Sequence, residues 1–472
     1  MKEKIEFGTG GWRAIIGESF TKENVMRVAS GFLELMKKEN KINKPVIIGY
    51  DRRFLSKNAA KWFAEVLAAD GIEVLFLKRS APTPYVMYTV LKDGLYYGVE
   101  ITASHNPSDY NGIKIIIEEG RDADVDTTNQ LEKFIENISD IKNIDFDKAV
   151  EKGIIQYKEN PFNEFIDDIL AKLNVEALRK RGLRVLFDPM HGSGTYPLLV
   201  ILFTARLTVD TQNSNKDAYF GGKMPAPNPE TLGTLRENVV NGKYDLGIAL
   251  DGDGDRLGII DEKGNYINAN QILCMLYYYL LKYKGWKGAV VRNLATTHML
   301  DKIAESFGEK CYEVPVGFKY ISSKIDEVDA VLGGESSGGL TVRGHIHGKD
   351  SVYAASLFLE MISAIEKTPS EIIEELESKY GKFVMAEDNL KFDYKYKDTI
   401  SKIIFEDKAL PNFSNKIKKV NYEDGCKVYF EDDSFVICRF SGTEPLLRIF
   451  AESATQEKAL NYIKEFKEFL KI

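Results

Sequence analysis

The chain has 472 residues, more than one hydrophobic core usually serves, and at about 150 residues per domain it predicts roughly three domains. Apolar residues at 44% and charged residues at 28%, with 14 prolines, exclude a disordered or fibrous chain. Lys and Arg number 63 against 71 Asp and Glu, a net charge of −8, which excludes the basic field that holds a nucleic-acid backbone; an anionic ligand has to be met by a locally positive site.

In chain order, period-3.6 and Val/Ile-rich patterns predict a helix at Glu23–Lys38, a strand at Pro45–Tyr50, a helix at Asn58–Asp70, and strands at Glu73–Leu77 and Tyr97–Ile101. A helix at Asn163–Leu173, strands at Arg184–Asp188 and Leu246–Leu250, a helix at Ala269–Tyr283, strands at Gly288–Arg292 and Ala330–Leu332, and a helix at Ser351–Glu366 follow. Polar breaks at Ser139–Lys148, Asp261–Asn265 and Lys379–Asp388 divide this into four modules. The last module reads as α+β, with strands at Lys427–Phe430, Phe435–Phe440 and Leu447–Ala451 before a closing helix at Gln456–Leu470. Cys274, Cys311, Cys426 and Cys438 form no C-x-x-C pair, which argues against a disulfide framework or zinc knuckle and for a reducing cytoplasm. Met1 to Phe7 has no apolar leader, and the longest apolar runs, Leu198–Phe203 and Ile272–Leu281, fall short of the ~18 residues of a membrane span, so a soluble cytoplasmic protein with no membrane partner is expected.

Four motifs carry chemistry. Thr102-Ala103-Ser104-His105-Asn106-Pro107 follows the strand Tyr97–Ile101; a Ser at the carboxyl end of a strand can act as a nucleophile or carry a phosphoryl group, with His105 and Lys114 assisting, or the segment is simply a turn. Asp251-Gly252-Asp253-Gly254-Asp255-Arg256 lies between apolar strands, and its alternating carboxylates can converge on one hard cation. An EF-hand is the rival, but Arg256 stands where that loop needs Gly, and strands flank the loop; Mg²⁺ with open positions for a phosphoryl oxygen is the expected occupant. Gly333-Gly334-Glu335-Ser336-Ser337-Gly338-Gly339 allows close approach of a ligand, with Glu335 and Ser337 able to bind hydroxyls, or is a plain Gly-rich loop. Arg439-Phe440-Ser441-Gly442-Thr443-Glu444-Pro445, with Arg448, offers guanidinium forks, hydroxyls and N–H groups for a phosphate monoester, or is an exposed turn with surface ion pairs. Smaller features are the Gly-rich turn Gly8–Arg13 and the segment His345–Asp350, read as a polar loop in which Lys349 is the member of interest.

The order of these motifs resembles the α-D-phosphohexomutase (phosphoglucomutase/phosphomannomutase) family over the span Gly8 to Arg448, closest to a bacterial- or archaeal-type branch acting on glucose. The resemblance implies a heart-shaped α/β protein of four domains around a central cleft: three α/β domains at 1–145 (phosphoserine loop), 146–262 (metal loop) and 263–380 (sugar loop), and a smaller α+β domain at 381–472 (phosphate loop). It implies Ser104 as phosphoserine, Ser104 with Asp251, Asp253 and Asp255 around Mg²⁺, and Glu335 and Ser337 on sugar hydroxyls. Arg439, Ser441, Gly442, Thr443 and Arg448 would hold the phosphate not in transfer, and Arg13, His105, Lys114, Arg256 and Lys349 would be acid/base and charge-stabilising groups. The implied activity is interconversion of hexose 1-phosphate and hexose 6-phosphate through a hexose 1,6-bisphosphate, by a monomer or homodimer; mannose or glucosamine phosphate as substrate, a phosphatase and a non-catalytic sugar-phosphate sensor are the alternatives. Gly10, Ser336 and Gly339 depart from the family pattern. Gly339 in place of a His donor leads to the expectation that glucose phosphates are preferred to mannose phosphates.

Overall fold

The computed structural model describes residues 4–8, 10–440 and 446–470. The chain divides into two compact units, Met1–Ile272 with Ser337–Ser370, and Leu273–Ser336 with Glu371–Ile472.

The first unit holds two sheets. The amino-terminal sheet contains β1 (Trp12–Ile15), β2 (Val46–Tyr50), β3 (Val74–Phe76), β4 (Tyr97–Ile101), β5 (Tyr110–Ile117) and β6 (Ile155–Tyr157), in the order β1-β5-β4-β2-β3-β6. β4, β2, β3 and β6 run parallel, whereas β5 is antiparallel to both β4 and β1. Every residue of β2 and β4 is buried, as strands covered on both faces require. Helices Ser56–Ala69 and Thr83–Lys92 pack on β2 and β4, and Lys22–Lys38 lies beside Ser56–Ala69. The helix Lys22–Lys38 starts where the Thr21 side chain accepts from the Asn24 N–H, and it ends on Lys37 and Lys38, which complement the helix dipole. Its Phe32 sits edge-on to Tyr97 with centroids 5.1 Å apart.

Four elements here, β1, β5, β6 and the helix Thr83–Lys92, were not expected from the sequence. Thr83–Lys92 is helical although it carries Pro84, because a proline in the first helical turn removes an N–H that has no partner anyway. β5 makes the sheet mixed, so the loop after β4 is the link between two antiparallel strands.

The second sheet contains β7 (Arg184–Asp188), β8 (Thr208–Thr211), β9 (Leu246–Leu250) and β10 (Leu257–Ile260) in the order β10-β9-β7-β8. β9, β7 and β8 are parallel, and β10 folds back antiparallel on β9 with Leu250 opposite Leu257. Residues 251–256 therefore form a tight connection at the end of a buried hairpin. The helix Ser351–Ile365 of this unit is capped by Asp350, which accepts from the N–H groups of Val352 and Tyr353 while its other oxygen lies 2.6 Å from His345 Nε2.

In the second unit, β11 (Val290–Asn293) pairs in parallel with β12 (Cys311–Val314) and β13 (Leu332–Gly334), and the helix Phe318–Val328 packs on them. β14 (Val384–Lys391), β15 (Ile417–Asn421), β16 (Cys426–Phe430), β17 (Phe435–Phe440) and β18 (Leu446–Ser453) form an antiparallel sheet in the order β14-β18-β17-β16-β15. The helix Gln456–Leu470 lies on β14 and β18, and its Tyr462 stacks on Phe430 at 4.3 Å, so the α+β reading of this part holds. A buried charge cluster joins β11 and β12 to β16: Glu313 is 2.5 Å from Arg292 and 2.7 Å from Lys427 Nζ, which also lies 3.0 Å from His298 Nε2. Among the described residues no helix is long and apolar enough to cross a membrane.

Candidate active site

Ser104 is fully buried in the β4–β5 connection with φ of 52°, a left-handed conformation that a non-glycine residue holds only where its surroundings impose it. The restraint comes from Arg53, immediately after β2 and also buried. Its guanidinium donates to the carbonyl oxygens of Ser104 and Asn106 at 2.6 Å each, of Pro107 at 2.7 Å and of Tyr110 at 3.2 Å. Asp51 in turn lies 3.2 Å from Arg53 Nε and accepts from the hydroxyls of Ser56 and Thr102 at 2.6 and 2.7 Å. Arg53 and Asp51 escaped the motif reading; the one signal was an Asp-Arg-Arg run (Asp51–Arg53) at the carboxyl end of a predicted strand. Arg13 on β1 adds an outer brace, donating to Asn106 Oδ1 at 2.8 Å. A Cβ on Gly10 would lie 2.7 Å from Arg13 Nη2, at the tip of that side chain.

The hydroxyl of Ser104 donates to Asp251 Oδ2 at 3.0 Å and lies 3.4 Å from His105 Nδ1. Asp251, Asp253 and Asp255 are all buried, with one oxygen from each within 4.8 Å of the others. The loop is held by Thr83, which donates from its hydroxyl to Asp253 Oδ2 at 2.6 Å and from its N–H to the Asp253 carbonyl at 2.9 Å, and by Ser193 and Ser351 on the carbonyls of Gly252 and Gly254. Gly252 is required because a Cβ there would sit 2.6 Å from the Ser104 carbonyl.

Cations surround this acidic centre. Lys114, on β5 and buried, reaches Asp253 and Asp255 at 2.7 and 2.8 Å; Lys349 lies 3.2 Å from Asp255, and Arg256 Nε 3.8 Å from it. Burial opposes ionisation of Asp255, yet Lys114, Lys349 and Arg256 hold it well below the usual carboxylate range; burial also opposes charge on Lys114, which Asp253 and Asp255 nonetheless raise above its ordinary value. His105 is pushed well below its ordinary value, first by burial and then by Arg256 and Arg13, so its imidazole is neutral at physiological pH. Asp253 Oδ1 and Asp255 Oδ1 are buried without a hydrogen-bond donor. Convergent hard oxygen donors with unsatisfied lone pairs suit a divalent cation such as Mg²⁺.

Lys349 owes its course to Gly339. A Cβ on Gly339 would lie 2.0 Å from Lys349 Cδ and 2.6 Å from Cγ, so the lysine stem occupies the space that any side chain at 339 would need. The lysine crossing it is a sufficient steric reason for the glycine. Ser337, also in the first unit, is exposed; His345 is buried on Asp350 and serves the helix cap.

The remaining predicted residues belong to the second unit. Glu335 is buried at the end of β13, where Oε1 accepts from Asn293 Nδ2 and from the Gly317 N–H, both at 3.0 Å. Arg439 on β17 and Arg448 on β18 are directly opposite in the antiparallel register, which places two guanidinium groups on one face of the sheet. Arg439 is 3.1 Å from Asp424, and the Nε atoms of both arginines are buried without an acceptor. Facing like charges cost stability unless an anion offsets them, and Asp424 does so for Arg439. Ser441, Gly442 and Thr443 lie outside the described residues.

A serine hydroxyl on a convergent acidic centre, with cations ranged about it, is the equipment of a phosphotransferase. Comparison with known proteins agrees. Family models described as phosphoglucomutase/phosphomannomutase match as domain I (residues 4–142), domain II (163–264), domain III (268–380) and the C-terminal domain (389–469). A "Phosphoglucomutase/phosphomannomutase" of Thermococcus kodakarensis is 31% identical over 97% of this chain and 96% of its own. A "Probable phosphoglucosamine mutase" of Methanosphaera stadtmanae is 32% identical over 98% of both chains. The solved structure of a phosphoglucomutase/phosphomannomutase family protein from Burkholderia thailandensis, 22% identical, has the same fold, with a TM-score of 0.83 over 100% of this chain and 98% of that one. The chain belongs to the phosphoglucomutase/phosphomannomutase family.

Proposed function

We propose that this enzyme interconverts hexose 1-phosphate and hexose 6-phosphate through a phosphoserine at Ser104 and a hexose 1,6-bisphosphate, with glucose as the sugar. The observation that carries the reading is the buried Ser104 hydroxyl, 3.0 Å from one of three convergent aspartates and presented on a left-handed backbone. Ser104, Asp251, Asp253 and Asp255 would hold Mg²⁺, which supplies positive charge to the oxygens of the phosphoryl group. In the forward half-reaction the bond from phosphorus to Ser104 Oγ breaks as a bond to the sugar hydroxyl forms. Neutral His105 is suited to take the hydroxyl proton, while Lys114, Arg256, Lys349 and Arg13 offset developing negative charge. The bisphosphate then presents its other phosphate, and the reverse transfer restores phospho-Ser104.

In this proposal Glu335 and Ser337 accept sugar hydroxyls, and Arg439, Ser441, Gly442, Thr443 and Arg448 hold the idle phosphate. The four domains span 1–145, 146–262, 263–380 and 381–472, and the protein is cytoplasmic. Glucose rests on the 31% identical relative named for glucose and mannose phosphates. A second reading, glucosamine phosphate, is favoured by the relative at 32% identity. Phosphopeptide mapping together with kcat/KM on the 1-phosphates of glucose, mannose and glucosamine, under saturating bisphosphate, tests both. The expected result is phosphate on Ser104, loss of turnover by orders of magnitude in Ser104→Ala, and the highest kcat/KM on glucose 1-phosphate. A higher value on glucosamine 1-phosphate selects the second reading; release of inorganic phosphate without isomerisation overturns both.

A further inference from the structure

The sequence separates Cys426 from Cys438, but the fold sets them face to face. Cys426 opens β16, and Cys438 lies directly opposite it on β17 in the antiparallel register. Opposed residues of antiparallel strands have Cα atoms about 4.5 or 5.5 Å apart, inside the roughly 4.4–6.8 Å that a disulfide spans. Opposed side chains share one face of the sheet, so the two thiols are direct cross-strand neighbours. Both are free and wholly buried in the core of the carboxyl-terminal sheet, beneath the helix Gln456–Leu470.

We propose that Cys426 and Cys438 form a reversible disulfide when the protein meets a peroxide oxidant. The proposal rests on the two thiols alone and stands apart from the assignment of substrate. The thiols are not equivalent: the neighbouring Cys438 and Tyr422 side chains outweigh burial and lower Cys426, whereas burial raises Cys438. Cys426 is therefore the attacking sulfur. Its thiolate attacks one peroxide oxygen, the O–O bond breaks, and the departing hydroxide leaves as water with the thiol proton, forming a sulfenic acid. The sulfur of Cys438 then attacks that sulfur, the S–O bond breaks, and a second water leaves with the Cys438 proton. The two sulfurs lose two electrons, and one peroxide becomes two waters.

The bond would lie next to the paired arginines. Cys438 precedes Arg439, and Cys426 follows Asp424 and Gly425, so the link would pin the two strand ends that carry the Asp424–Arg439 ion pair. The test uses the full chain, treated with hydrogen peroxide, quenched, denatured and assayed for thiols, with a non-reducing digest mapped by mass spectrometry. The free-thiol count is expected to fall from four to two, the mass to drop by two hydrogens, and a peptide linked through Cys426 and Cys438 to appear that dithiothreitol dissolves. Cys438→Ala is expected to lose that peptide and, with dimedone present, to carry its adduct on Cys426. Four unreacted thiols in the folded wild type, a link between Cys274 and Cys311 instead, or oxidation of Cys426 to sulfinic acid with no link would each overturn the proposal.

Discussion

Gly339→Ala is the sharpest test of how the charge around Asp255 is set. The backbone at 339 is not left-handed, so alanine costs little conformational strain there; the new Cβ instead lies where the Lys349 stem runs, 2.0 Å from Cδ and 3.3 Å even from Cβ. Because the overlap reaches the root of the lysine side chain, a change at its tip cannot relieve it. The stem has to leave, and Nζ loses its 3.2 Å approach to Asp255, where the Lys349 side chain is only 12% exposed. Loss of a hydrogen-bonded ionic contact costs about 1.5–3 kcal/mol, or roughly a 10- to 150-fold fall in kcat/KM. Steady-state assays of Gly339→Ala, Lys349→Met and the double variant form a cycle, with thermal melts to confirm folding. Since the glycine acts through the lysine, the double variant is expected to be no slower than Lys349→Met. Wild-type kcat/KM in Gly339→Ala, or additive losses in the double variant, would refute the reasoning.

Three further outcomes follow from the same geometry. Arg53→Met leaves Asp51 buried without its cation and four loop carbonyls without their donor, so thermal and chemical unfolding should show a loss of about 3–5 kcal/mol together with near-complete loss of turnover; an active variant of normal stability would show that the Ser104 loop needs no such brace. Chelation should abolish turnover and added Mg²⁺ restore it, and in isothermal titration Asp253→Asn should bind Mg²⁺ about tenfold or more weakly while retaining a cooperative melt; collapse of the fold on chelation would make the site structural instead. Lys427 is pushed down to about 7 by burial and by Arg292, against the pull of Glu313 and Glu452. Its folded value thus lies below its unfolded one, the unfolded chain binds more protons between about pH 7 and pH 10, and stability should rise with pH across that window, with a slope approaching 1.4 kcal/mol per unit. Urea midpoints should show this rise flattened in Lys427→Met; parallel curves would remove Lys427 as its source.

Much of the chemistry was legible without coordinates because it sits in contiguous runs. Ser104 to Pro107, Asp251 to Arg256 and Glu335 to Gly339 each follow the end of a strand whose apolar pattern was plain, so neighbouring residues are presented together. The strands that frame them, Tyr97–Ile101, Arg184–Asp188 and Leu246–Leu250, were predicted to the residue. Those around Val290 and Leu332 began two residues later than expected.

What only the tertiary structure decided are the relations between runs. Lys114 looked like an accessory to the serine loop; because β5 folds back along β4, it becomes the buried counter-ion of Asp253 and Asp255, some 140 positions away in the chain. Arg53 carries no motif, and its role exists only because β2 ends beside the β4–β5 loop. Gly339 leaves room for a lysine stem ten positions further on, a contact that no local pattern shows. Cys426 and Cys438, unremarkable by spacing, are paired by strand register alone. The physical reason is common to all four: a local pattern reports how a segment meets water and which turns it can make, while side-chain contacts between segments depend on sheet order and register, which are set by burying all the apolar faces at once.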